Sequence, residues 1–173
     1  MSDKPETYVL DANAFIQAHR QFYGLDFCPG YWTTLLWHRD HGRILSIDRV
    51  RDELLAGEDA LSDWVEGQWG AGLFPSCGTP DSIEAYRQIV IWVAAQPQFR
   101  EAAKAEFQRV ADGWLAAFAK AHGHTVVTLE IENAEIRKRV PLPNVCRAFD
   151  VPWITPFEML RRLGVRLGWA PAP

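Results

Sequence analysis

Residues 7–19, TYVLDANAFIQAH, decide how the rest of this chain is read. Tyr8, Val9 and Leu10 form a short, β-prone apolar run that stops at one carboxylate, Asp11. Small residues, Ala12 and Ala14, flank Asn13, and an apolar, helix-compatible segment opens with Phe15 and Ile16. A strand buried in a parallel sheet reads as such a run, and ligands of open α/β sheets sit beyond the carboxyl ends of the strands. An acid at that exit is placed either for chemistry or for capping the following helix, since Asp and Asn are among the best caps. This segment alone leaves both readings open.

The length of 173 residues is one domain's worth of chain, enough to bury a sizeable core. We expect a single domain over 1–173, with a helical, aromatic-rich insertion at about 58–101. An apolar share of 48% with 23% charged residues excludes a disordered chain and fits a soluble globular one. The longest purely apolar run, 89–95, is far too short to span a bilayer. The opening MSDKPET lacks the apolar core of a secretory signal. Cys28, Cys77 and Cys146 show no CxxC or Cys/His ligand spacing, so they are expected as reduced thiols of a cytoplasmic protein.

A formal net charge of −4 argues against nonspecific coating of nucleic acid. The charge is uneven, however. Residues 137–173 carry 7 Lys/Arg against 2 Asp/Glu, whereas residues 1–136 carry 11 against 20. A basic surface beside an acidic pocket suits the cutting of a polyanion, and an ordinary solvated basic end has the same composition.

Along the chain, helices are expected over 13–22 and 31–41, separated by the turn-rich stretch 24–30. His38 and His41 lie one turn apart but have no third ligand nearby and read as a solvated helix end. A second strand over 43–47 leads to Asp48, read as the cap of a helix that ends at Gly57. Val50 and Leu54 mark its buried stripe, and Glu53 projects near that stripe. In 58–101 the stretches 67–72 and 75–80 are loop-like and 82–95 is helical. The aromatic residues there, Trp64, Trp69, Phe74, Tyr86 and Trp92, serve either as core or as a partner face; core is the default. One long helix is expected over 100–122, with Asp112 at the border of its apolar stripe. Gly123 ends it, and a third strand over 125–129 runs straight into Glu130. A further helix is expected over 132–138, broken by Pro141 and Pro143. A short strand, Trp153 and Ile154, then precedes a final helix over 156–163 capped by Thr155.

Alternating strand and helix signals predict an α/β protein, a three-layer α/β/α sandwich with a central parallel sheet. In it Asp11 and Glu130 end strands, Glu53 starts a post-strand helix, and Asp112 lies on the helix before the Glu130 strand. If the strand exits converge, four carboxylates meet and repel one another. Hard divalent cations, Mg²⁺ or Mn²⁺, resolve that repulsion with oxygen ligands and would activate water against a phosphodiester.

The pattern resembles the PIN-domain nucleases, the fold of many bacterial toxin ribonucleases of the VapC type. The residues that carry it are VLDANAFI, the Glu of VRDELLAG, the helix ADGWLAAFA and the strand VVTLE, with Asp112 and Glu130 18 residues apart. The closing PLPNVCRAFDVPWITPFEMLRRLG resembles an uncharacterised bacterial branch of that family. The resemblance implies metal-dependent cleavage of single-stranded RNA by Asp11, Glu53, Asp112 and Glu130, which would act both as catalytic acids and as metal ligands. Asn13 and Thr128 would support these acids. The last acid departs from the family's commoner Asp, which puts a second metal position in question; Glu132 is a substitute ligand or, more simply, a solvated helix start. Arg137, Lys138, Arg139 and Arg147 are the expected contacts to the RNA backbone. A homodimer and a protein antitoxin are the expected partners, and no membrane is involved.

Other chemistries fit less well. An aspartyl-nucleophile phosphatase would need a second Asp where Asn13 stands, and dinucleotide binding needs glycines that residues 11–15 lack. A PIN-fold binding module without turnover, and a nuclease acting on structured DNA, remain as alternatives, because a fold does not by itself fix a function.

Overall fold

The computed structural model describes residues 5–70 and 74–168. Its centre is a parallel sheet of β1 (Tyr8–Leu10), β2 (Ile44–Leu45), β3 (Thr125–Val127) and β4 (Trp153–Ile154), in the order β2-β1-β3-β4. Tyr8 pairs with Ile44 on one side and Thr125 on the other, and Leu10 pairs with Val127. Every residue of β1 and β3 is buried, as strands covered on both faces must be. Helices on the two faces complete the three-layer α/β/α sandwich.

The first crossover is α1 (Ala12–Gln17), prolonged by a π-helical turn (Ala18–Phe22), and α2 (Pro29–Asp40). His38 is buried in α2 rather than solvated, while His41 is exposed and stacks on Trp37 with ring centroids 3.8 Å apart. β2 is shorter than the expected 43–47. The residue in the capping position of α3 (Asp48–Leu55) is Ile47, so Asp48 is the first helical residue and not the cap. Its carboxylate instead accepts the N–H groups of Arg49 and Cys77, tying the later loop to the helix start.

The segment after α3 folds into the body of the domain. Asp59 and Ser62 form a reciprocal capping box that starts α4 (Ala60–Trp64). A second π-helical turn, Val65–Trp69, carries α4 onward, so the expected loop over 67–72 is helical up to residue 69. Residues 71 and 72 of that loop lie outside the described residues. Trp64, Trp69 and Phe74 are buried, and Tyr86 and Trp92 are half-buried, so the aromatic residues are core and not a partner face. Trp69 meets the edge of Phe15 at 5.2 Å, and Trp64 meets Trp32 at 4.7 Å, which locks the segment onto α1 and α2.

α5 (Pro80–Ala95) runs along α7 (Asp112–His122), where Tyr86 stacks flat on Trp114 at 3.9 Å. The single helix expected over 100–122 is two: α6 (Glu101–Phe107) and α7, separated by a turn. The reason is packing. Residues 107 and 113 would lie about 9 Å apart along a continuous helix and on different faces. Here a Cβ on Gly113 would stand 3.0 Å from the Phe107 ring and 2.9 Å from Tyr86, a contact that requires α6 to fold back. Asp112 thereby becomes the first residue of α7 and not a mid-helix border position.

Gly123 closes α7 in the left-handed region (φ 67°), as expected of a residue just past a helix end. β3 stops at Val127, two residues early. The helix expected over 132–138 is absent. Asn133 Oδ1 instead accepts the N–H groups of Glu135 and Ile136, and Asn144 bridges both main-chain groups of Asn133. This side-chain bonding competes with a helix and wins. Pro141 and Pro143 start a helix rather than break one: α8 (Leu142–Ala148) has Pro141 in its capping position. β4 leads to α9 (Pro156–Arg162), capped by the Thr155 hydroxyl, which accepts the N–H of Glu158. No helix among the described residues is long and apolar enough to cross a membrane.

Candidate active site

β1 delivers Asp11 to the carboxyl edge of the sheet between β2 and β3. Asp11 occupies the capping position of α1, but its carboxylate closes no capping hydrogen bond. Instead the Thr128 hydroxyl donates to Asp11 Oδ2 at 2.9 Å, and the main-chain N–H of Asn13 faces the carboxylate and eases its charge. The buried hydroxyl of Ser46 fixes the end of β1 from the other side by donating to Leu10 O at 2.6 Å.

The other acids gather around Asp11 from three elements. Burial first, and then the charges of Glu130 and Glu53, push the Asp11 carboxyl up to about 7. Asp112, at the start of α7, is raised well above the ordinary carboxylate range by burial and then by Asp11, Glu130 and Glu53. Glu53, on α3, is exposed as a residue, yet the loss of water around its carboxyl raises its pKa as well. The fold therefore brings Glu53 and Glu130 within electrostatic reach of Asp11 and Asp112.

Their geometry is not equivalent. Both Glu130 oxygens are engaged, one with Arg139 at 3.1 Å and the other with the main-chain N–H of Leu142 at 2.8 Å. Glu130 thus covers the open start of α8 while its charge still bears on Asp11 and Asp112. Among the described residues, no three His, Cys, Asp or Glu side chains form a closed metal-ligating group. The donor chemistry still suits a hard cation. Asp11 and Asp112 offer carboxylate oxygens whose mutual repulsion a cation would relieve, whereas Glu130 would first have to leave Arg139.

The basic residues separate into groups. Arg139 lines two clefts that meet at Glu130, and it eases the charge of Asp112. Arg147 is exposed and paired with Glu132 at 2.8 Å, so Glu132 is held by an ion pair. Arg137 and Lys138 are exposed on the loop before α8, and the Arg137 carbonyl accepts the N–H of Arg100. Asn13 contributes its main chain to Asp11, while its side chain faces an open groove.

Several neighbours of the acids escape a reading of the sequence. Arg49 and Arg109 flank Glu53 in a cleft of about 420 Å³, with the Arg49 guanidinium 4.6 Å over the Trp114 ring. The Cys146 thiol is buried beside the acids, and burial with the charges of Asp112 and Asp11 keeps it protonated. Only the spacing of Glu53 from Arg49, one helical turn, hinted at this arrangement in the sequence.

Two solved structures share the architecture over most of the chain. VapBC2 from Rickettsia felis, bound to a DNA fragment from their promoter, superposes with a TM-score of 0.51 at 14% identity, covering 86% of this chain and 98% of the matched one. FitAcB from Neisseria gonorrhoeae superposes with a TM-score of 0.51 at 21% identity, covering 87% of this chain and 99% of the matched one. At such identities the likeness concerns the fold. No curated protein matches the chain. Residues 8–167 match the family described as "Domain of unknown function (DUF4411)". With four parallel strands in the order described and its acids at their carboxyl edge, the chain belongs to that DUF4411 family and has the PIN-domain fold.

Proposed function

We propose that the protein is a divalent-metal-dependent endoribonuclease that cuts single-stranded RNA, and that it is the toxin of a toxin–antitoxin pair. The observation that carries the reading is the gathering of Asp11, from the exit of β1, and Asp112, from the start of α7, with the charges of Glu53 and Glu130 bearing on both. A buried Asp11 and a half-buried Asp112 set against one another at the exit of a parallel sheet call for a cation. Asp11 and Asp112 would hold Mg²⁺ or Mn²⁺, with Glu53 and a released Glu130 completing the oxygen set. When bound, the metal supplies activation of water at neutral pH and neutralisation of charge on the phosphodiester.

The chain's own residues do the remaining work. Thr128 holds one Asp11 oxygen in place. Arg139, beside Glu130, and Arg49 with Arg109, beside Glu53, put positive charge on both sides of the acids, where a phosphate backbone would pass. Arg137 and Lys138, exposed on the loop that carries Arg139, would extend the positive surface, and Arg147 would join them on leaving Glu132. The fold shared with VapBC2 and FitAcB supports a protein antitoxin as partner, and a homodimer belongs to the same reading.

A second reading, a binding module without turnover, draws support from Glu130, whose oxygens are committed to Arg139 and Leu142. Cleavage of mixed single-stranded RNA with Mg²⁺ or Mn²⁺, against EDTA, separates the two. Metal-dependent products that vanish in Asp11→Asn establish the nuclease. Metal binding with no cleavage of any RNA establishes the binding module.

A further inference from the structure

A groove of about 540 Å³ opens beside the acids, between the first helix and the segment that follows β3. One wall presents three amides, Asn13, Gln17 and Gln21, at a spacing of four that stacks them along one helix face. Among the described residues none of these side chains makes a hydrogen bond within the protein, and the Gln17 amide oxygen is buried without a partner. A buried amide oxygen with no partner is costly, and a ligand seated in the groove would supply one.

The groove also has an apolar floor and a charged end. Phe22 and Ile131 are 39% and 79% exposed and both line it. Phe22 is steadied edge-on against Phe157, with ring centroids 5.2 Å apart. At the other end, Glu130 and Arg139 line both this groove and the cleft that holds Asp112. The lining suits a ligand with an apolar face for Phe22 and Ile131 and an edge of donors and acceptors for the amides.

We propose that the groove seats one unpaired nucleobase next to the phosphodiester to be cut, with Gln17 and Gln21 bonding its edge and Phe22 and Ile131 packing on its face. Unstacked bases are recognised in this way, by amide pairing at the edge and apolar or aromatic contact at the face. The proposal rests on the nuclease reading and adds to it a base preference at one position beside the cut.

The test uses the full chain carrying Asp11→Asn, which binds without cutting, and fluorescently labelled oligonucleotides of rA, rC, rG and rU. Affinities should spread by about tenfold or more between the best and worst base, in line with one good bidentate base contact. Adding Gln17→Ala and Gln21→Ala should shrink that spread to about twofold or less, by weakening the best ligand most. Phe22→Ala should weaken all four. Gln21 is exposed, so Gln21→Ala alone provides a variant whose fold is safe, and it should lose part of the spread at an unchanged melting temperature. In the protein with Asp11 intact, cuts in a randomised single-stranded RNA should lose their preference at one position when both glutamines are replaced. RNA cut without any base preference, or with a preference the glutamine variants leave intact, overturns the subsite and spares the nuclease reading. Failure to cut any RNA removes the nuclease reading itself. A copurifying peptide released by the glutamine variants, with base preference unchanged, overturns the proposal and gives the groove to a protein partner.

Discussion

The hydroxyl of Thr128 donates to Oδ2 of Asp11 across 2.9 Å, joining the ends of the two central strands. The same hydroxyl oxygen accepts the N–H of Glu130 at 3.1 Å, so one side chain organises two of the four acids. Thr128→Val keeps the shape and removes both bonds. It leaves the Glu130 N–H unsatisfied, which should cost about 1–3 kcal/mol in denaturant unfolding. Asp11 loses a bond that favours its ionised form, so its pKa should rise further and the pH profile of cleavage should move to higher pH. A profile that stays in place would show that Thr128 only fills space.

Stability of the metal-free protein should fall as pH rises. Burial and its acidic neighbours move Asp11 from 3.8 up to about 7. Between those values the folded state holds protons that the unfolded chain has released, and Asp112 adds in the same direction. This contribution is fully present below the unfolded value and is lost as pH passes through the folded one. Thermal melts in EDTA should therefore give a lower Tm at pH 8 than at pH 5. Asp11→Asn should flatten the decline, and excess Mg²⁺ or Mn²⁺ should reverse it. An equally steep decline in Asp11→Asn would place its origin elsewhere.

For activity, Asp11→Asn and Asp112→Asn should each lower metal-dependent cleavage by roughly a thousandfold or more, as loss of several kcal/mol of metal-organised stabilisation implies. The double variant should be little worse than either single one, because ligands of one site act as a unit. Additive losses would mean that the two acids serve separate sites.

The ion pair of Glu130 with Arg139 should restrain cation binding. Arg139→Ala removes a charge that eases Asp112 and releases one oxygen of Glu130. Calorimetry should show tighter Mn²⁺ binding in this variant, while RNA binding weakens and its salt slope falls by about one. Arg137→Ala with Lys138→Ala should reduce the salt slope without touching Mn²⁺ affinity. An unchanged slope in that pair would relegate both residues to ordinary surface.

Gly113→Ala tests the break between α6 and α7. A Cβ there would stand 2.9 Å from Tyr86 and 3.0 Å from Phe107, so a ring must move. Overpacking of this kind should cost about 1–3 kcal/mol of stability. Because Asp112 is the preceding residue, Mn²⁺ affinity should fall as well. Destabilisation with unaltered metal affinity would separate the packing from the site.

Local patterns in the sequence determine much of this protein. The run Tyr8–Leu10 stopping at Asp11 names a buried parallel strand with an acid at its exit, because a strand covered on both faces must be apolar throughout. VVTLE repeats the statement for β3, and Thr155 with Pro156 marks the start of α9 by capping chemistry that is local by nature. Tertiary structure decided what depends on distant partners. The periodicity over 100–122 runs unbroken through residues 107–111, and only the packing of Phe107 and Tyr86 on Gly113 splits the helix and puts Asp112 at a helix start. Residues 132–138 have helical composition, but Asn144, from a later element, captures Asn133 and holds the segment as a loop. For the aromatic residues of 58–101 core is the default reading over a partner face, and Phe15 and Trp32 supply the partners that make them core. At the site, the sequence placed Asp11 and Glu130 at strand exits, Glu53 near the buried stripe of a helix and Asp112 at the border of another, whereas the engagement of Glu130 by Arg139 and Leu142 depends on where α8 begins in space. Hydrophobic period and caps are properties of neighbours in the chain; the contacts that gather and sort the acids join residues up to 117 positions apart.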